Sequence, residues 1–100
     1  MQYIASGPAG TVPLAPVYPL DNLPRQTGAR VVRVESLGGN DAIARRIEDL
    51  GFVPGEPVRV IARGLLGGNP LVVQVGYTRF ALRREEARRV QVVVDTGRGA

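Results

Sequence analysis

Leu50-Gly51-Phe52, followed at once by Pro54-Gly55, leaves this chain few ways to run. Gly51 can take the left-handed conformation that closes a helix, with Phe52 folding back onto Ile47. Pro54-Gly55 fits the centre of a type II turn, proline at the second position and glycine at the third. Pro57 then opens a β-branched run, Val58 to Ile61, at a strand start where its missing N–H is tolerated. The glycine-rich loop Gly64 to Pro70 ends that strand, and Leu71, Val72 and Val73 begin the next. A helix is stopped hard and handed to an antiparallel meander.

The flanking residues extend this pattern. Upstream, Val32 and Val34 alternate with Arg33 and Glu35, which predicts a half-buried strand over Arg30 to Glu35. Gly38-Gly39 breaks the chain before a helix from about Asp41 to Leu50, with Asn40 as its expected N-cap. Ile43, Ile47 and Leu50 share one face of that helix. Downstream, Tyr77 to Arg83 predicts a strand, Arg84 to Ala87 a single turn, and Arg89 to Val94 a last strand. About five short strands joined by hairpin signals predict a mainly β, closed or partly closed barrel, its one helix inserted between strands one and two. Leu50, Phe52, Val60, Val73, Phe80 and Leu82 are the expected core. Residues 20–94 form the folded domain and residues 95–100 a frayed end. Residues 1–19 form an arm in which Pro8, Pro13, Pro16 and Pro19 favour an extended, polyproline-type chain. Residues 12–19 are expected along the barrel surface of the same or a neighbouring subunit, a route to self-association.

Chemistry narrows the function. The chain has no cysteine and no histidine, so the common nucleophile–base pairs and the commonest metal ligands are missing. No phosphate-binding loop of the form G-x-x-x-x-G-K-[ST] occurs, and Gly64 to Gly68 joins two strands where a phosphate cradle would open onto a helix. Glu48 and Asp49 point about 100° apart on a helix and do not converge on one ion. No enzyme, no metal site and no cofactor is expected. No apolar run approaches the roughly 20 residues of a membrane span, nor does a leader precede the domain, so the expectation is a cytoplasmic protein. The net charge of +4 is carried by thirteen arginines and no lysine. It reads as a solvated basic face, and only Tyr3, Tyr18, Tyr77, Phe52 and Phe80 are aromatic, which supports base stacking poorly. No nucleic acid is expected.

Three segments then carry a resemblance: Ile47-x-x-Leu50-Gly51-Phe52-x-Pro54-Gly55-x-x-Val58-x-Val60, Gly68-Asn69-Pro70-Leu71-x-Val73, and Phe80-Ala81-Leu82-Arg83-x-x-x-Ala87-x-x-Val90-x-Val92. In this order and spacing they resemble the FeoA family, over roughly Leu20 to Val94. The sequence departs from the family at Asn69, where an aspartate commonly precedes the proline; asparagine keeps the turn and removes a charge. The resemblance implies an SH3-like barrel and an association with transition metals. It also implies a role in bacterial ferrous iron uptake through contact with the cytoplasmic portion of FeoB, a membrane transporter with a GTP-binding domain. Two other readings stay open: a regulatory domain related to the SH3-like C-terminal domain of metal-dependent repressors, and a basic RNA-binding barrel. The expected partner contacts are Leu65, Leu66, Asn69, Pro70 and Tyr77. Either one leucine of the loop folds down over the barrel end, or the tip meets a partner.

Overall fold

Six strands, two helices and one 3₁₀ turn account for most of the chain in the computed structural model, which describes residues 16–95. They are β1 (Val17–Pro19), a 3₁₀ turn (Leu20–Asn22), β2 (Gly28–Val34), α1 (Ala42–Asp49), β3 (Pro57–Gly64), β4 (Gly68–Val75), β5 (Thr78–Leu82), α2 (Arg84–Ala87) and β6 (Val90–Val94). All strands join one sheet in the order β1-β6-β2-β3-β4-β5, and every pairing is antiparallel. The edges, β1 and β5, are not bonded to each other among the described residues, so the barrel stays open at that seam.

The helix stop works as its residues dictate. Gly51 has φ 116°, its N–H donates to the Glu48 carbonyl at 3.0 Å, and the Phe52 N–H donates to the Ile47 carbonyl at 3.4 Å. These two bonds satisfy carbonyls that the last turn of any helix leaves open. The turn through Pro54-Gly55 closes with the Glu56 N–H donating to the Val53 carbonyl at 3.1 Å. Gly55 N–H then donates to the Val31 carbonyl at 2.8 Å, so the turn itself is stitched to β2.

Phe52 drops into the centre of the barrel beside Leu20, Leu23, Ile47, Leu71 and Leu82, and the inward valines of β3, β4 and β6 close around them. Phe80 meets the Phe52 ring with centroids 6.0 Å apart and planes tilted by 46°. Phe80 and Leu50, both expected as core, are only partly buried against it. Leu50 is the residue that ends α1, and Phe80 sits on an edge strand with no neighbouring strand on its far side among the described residues.

Four further expectations are corrected. β2 begins at Gly28 rather than Arg30, because its first residues ladder with β3 and with the end of β6. β4 begins at Gly68 rather than Leu71, since Gly68 pairs with Gly64 and draws Asn69 and Pro70 into the strand. A sixth strand, β1, forms from the end of the expected arm, with Val17 opposite Val93 and Pro19 opposite Gln91. Proline belongs there only because β1 is an edge strand, where a missing N–H leaves no ladder bond unmade on the open side. The rest of the expected arm, residues 1–15, and residues 96–100 lie outside the described residues.

The fourth correction is the cap of α1, which is Asp41 rather than Asn40. One carboxylate does three jobs: Oδ1 accepts from the Ala44 N–H at 3.2 Å, and Oδ2 accepts from the Leu37 N–H at 2.9 Å and from Arg89 Nε at 2.8 Å. An asparagine has one acceptor oxygen and no charge for Arg89. Arg89 also donates to the Glu85 carbonyl at 2.6 Å, so this nearly buried pair ties α1 to the segment joining α2 and β6. The Arg89 hydrogen bond, then that from Leu37, hold the Asp41 carboxyl well below the usual carboxylate range against the opposing effect of burial. A pKa depressed in the folded state adds stability that is complete above the unfolded value near 4 and is lost as pH falls below it. Urea titrations of the protein and Asp41→Asn should therefore differ widely at neutral pH and converge progressively below about pH 4. A constant difference across that window would assign the effect to shape rather than charge.

Candidate partner-binding hairpin

The β3–β4 hairpin narrows to three residues, Leu65, Leu66 and Gly67, between the paired glycines Gly64 and Gly68. Leu65 is 100% and Leu66 83% exposed, so neither folds down over the barrel end. Two large apolar side chains standing free together are unusual, because singly scattered ones are the norm.

A polar network holds the base of this tip. The Asn69 side-chain Oδ1 accepts from the Arg84 backbone N–H at 2.7 Å, capping an open donor at the start of α2. The Arg84 guanidinium donates to the Gly67 carbonyl at 3.3 Å and lies 3.6 Å from Oδ2 of Asp21 on the 3₁₀ turn. Asp21 is buried and its Oδ1 has no hydrogen-bond partner among the described residues, so Arg84 is the cation that offsets its charge. On the other side, Arg63 Nη2 donates to the Leu23 carbonyl at 2.5 Å. The tip is thus braced from α2 and from the 3₁₀ turn with the residue that follows it, while its two leucines remain free.

The expected contact residues do not all meet. Leu65, Leu66, Asn69 and Pro70 fall together at the tip, all exposed. Tyr77 is also fully exposed, but it sits in the β4–β5 turn at the opposite end of β4. Eight residues of strand separate the two ends, roughly 20–25 Å. Sequence reasoning missed Arg63, Arg84 and Asp21. A signal for the arginines was present: from Pro57 to Arg84 the chain has five arginines (59, 63, 79, 83, 84) and no Asp or Glu.

Among the described residues no three carboxylates gather to hold a metal ion, and no helix is long and apolar enough to cross a membrane. Two hollows among the described residues are modest. One is an apolar groove of about 290 Å³ near Tyr18, Leu23, Pro24 and Val94, and another of about 250 Å³ is lined by Arg59, Gln74 and Asp95.

Comparison with known proteins places this architecture. Residues 18–94 match the model of the FeoA domain. No curated protein matches the sequence. Among solved structures, FeoA of Stenotrophomonas maltophilia in complex with zinc is 60% identical. That match covers 76% of this chain and 87% of the other, with a TM-score of 0.67, and that protein is described as a prokaryotic SH3 domain protein. Iron(II) transport protein A from Clostridium thermocellum is 32% identical over 78% of this chain and 46% of its own, also with a TM-score of 0.67. A manganese-dependent transcriptional repressor in complex with manganese shares the fold alone, at 21% identity and a TM-score of 0.70, over 89% of this chain and 42% of the repressor. The fold is SH3-like, and the chain belongs to the FeoA family.

Proposed function

We propose that this protein is a non-enzymatic, cytoplasmic accessory factor of ferrous iron uptake, acting by contact with the cytoplasmic portion of a FeoB-type transporter. Its relative in Stenotrophomonas maltophilia is described in connection with activation of ferrous iron transport. The observation that carries the reading is the hairpin tip: Leu65 and Leu66 are presented to solvent on a braced strand pair and belong to no packed cluster among the described residues. Asn69 and Pro70 form the exposed shoulder of the same surface, and Tyr77 supplies a second contact at the far end of β4. A non-enzymatic role is consistent with a chain that lacks histidine and cysteine.

The test is a pull-down with the transporter's soluble cytoplasmic domain. Leu65→Ser with Leu66→Ser should lower binding about tenfold or more, since two apolar side chains leave the interface. The melting temperature should stay within a degree or two of the parent, because neither side chain is packed. Parallel losses of stability and binding, or no binding by the parent protein, would refute the reading.

A further inference from the structure

The charge around the tip says what kind of surface it enters. The run from Pro57 to Arg84, which contains β3, the tip, β4 and β5, carries five arginines and no carboxylate, whereas all nine acidic residues lie outside it. The structure concentrates this asymmetry at the hairpin. Arg63 borders Gly64 and reaches along Gly68, Arg84 bonds the Gly67 carbonyl, and Arg83 stands exposed beside it at the start of α2. Opposing these three cations is Asp21, buried and paired to Arg84. Of the two carboxylates that follow in α2, Glu86 accepts from the Arg83 N–H and pairs with Arg46, and Glu85 lies exposed on the turn after Arg84. The tip is therefore two free leucines with Arg63 and Arg84 against its base and Arg83 exposed next along the chain.

Resting on the reading that the tip meets the transporter, we propose that its receptor is an apolar cleft rimmed by carboxylates on the transporter's cytoplasmic portion. An apolar centre accepts Leu65 and Leu66, and an acidic rim meets Arg63, Arg83 and Arg84. This division is common at protein interfaces, where buried apolar residues carry affinity and rim charges set encounter rate and partner choice. A basic or neutral rim would leave Arg63 and Arg83, the cations that Asp21 does not offset, facing like charge or losing water without return. The braced base of the hairpin favours a preformed cleft, because little ordering is left for binding to impose on the tip.

The experiment measures binding of the full chain to the soluble cytoplasmic domain at low and high sodium chloride. Association should slow about tenfold or more on raising the salt, as screening weakens an acidic–basic encounter. Arg83→Gln should weaken binding and Arg83→Glu should weaken it further, with the salt dependence shrinking in the same order. Leu65→Ser with Leu66→Ser should weaken binding while keeping the salt dependence of the parent. Leucine-dependent binding that ignores salt and Arg83 would overturn the acidic rim and leave the preceding reading standing. Absence of any binding by the parent would overturn both. A parallel arm uses vesicles of phosphatidylglycerol and phosphatidylcholine: binding to these that depends on both leucines and salt, without binding to the domain, would assign the tip to a lipid surface and overturn the proposal.

Discussion

Phe52→Ala should cost this domain about 3–5 kcal/mol, the usual range for truncating a fully buried aromatic. Phe52 is 0% exposed and joins three parts of the core. It bonds back to Ile47 through the helix stop, stands against Phe80 of β5, and lies within the same cluster as Leu20 and Leu23. A cavity there cannot be filled by collapse, because β3 and β4 are held in register by their own ladder. For a chain of this size the loss approaches the whole folding free energy, since small domains hold only about 5–15 kcal/mol. Urea denaturation followed by circular dichroism measures it. A loss below about 1.5 kcal/mol would mean that the ring is not the centre of the core.

Gly64→Ala should be nearly as damaging for a different reason. A Cβ at this position would stand 1.9 Å from the Asn69 carbonyl oxygen, 2.4 Å from its carbon and 2.8 Å from the Pro70 nitrogen. All three are backbone atoms of the facing strand, so no side chain can turn aside. β3 and β4 must separate at the tip, and the expected cost is about 3 kcal/mol or more, at or beyond the top of the usual range for overpacking. Because Asn69 and Gly67 carry the bonds to Arg84, the same change should unbrace the tip. The melting temperature of Gly64→Ala measures the first effect, and the amide resonances of residues 65–69 report the second. A melting temperature equal to the parent's would show that the hairpin yields at no cost.

Much of this architecture can be read from the residues, and the reasons differ by segment. The helix stop and turn at Gly51 and Pro54-Gly55 are local: neighbouring residues set the conformation and the structure follows them. β1 is not local. Pro16 and Pro19 favour an extended chain without saying what lies beside it, and only the free side of β6 turns that preference into a strand. The cap of α1 is misread for the same reason, since Asn40 and Asp41 are both good caps and the choice is made by Arg89, 48 residues further along the chain. At the tip, Leu65 and Leu66 are adjacent in sequence and stay adjacent in space. Tyr77 shows the opposite case: a straight strand carries it away from them even though few residues intervene. The arginines against the base of the tip, Arg63 and Arg84, come from β3 and from the start of α2, which sequence order alone does not bring together.

The three residues of β1 have a consequence for the sheet edge they cover. Beneath them lies β6, Val90-Gln91-Val92-Val93-Val94, four valines and a glutamine with no charge and no proline. Such a strand, left uncovered, offers its unpaired backbone groups to any neighbour of the same kind, which is how sheets propagate from one molecule to the next. β1 occupies that side with a segment too short and too proline-bounded to recruit a further strand in turn. The opposite border, β5, carries Arg79 and is followed by Arg83, charges that discourage a second copy from stacking on it. A chain trimmed just before Leu20 would keep almost the entire core and yet lose the strand that covers β6, leaving that edge open to a strand from another molecule.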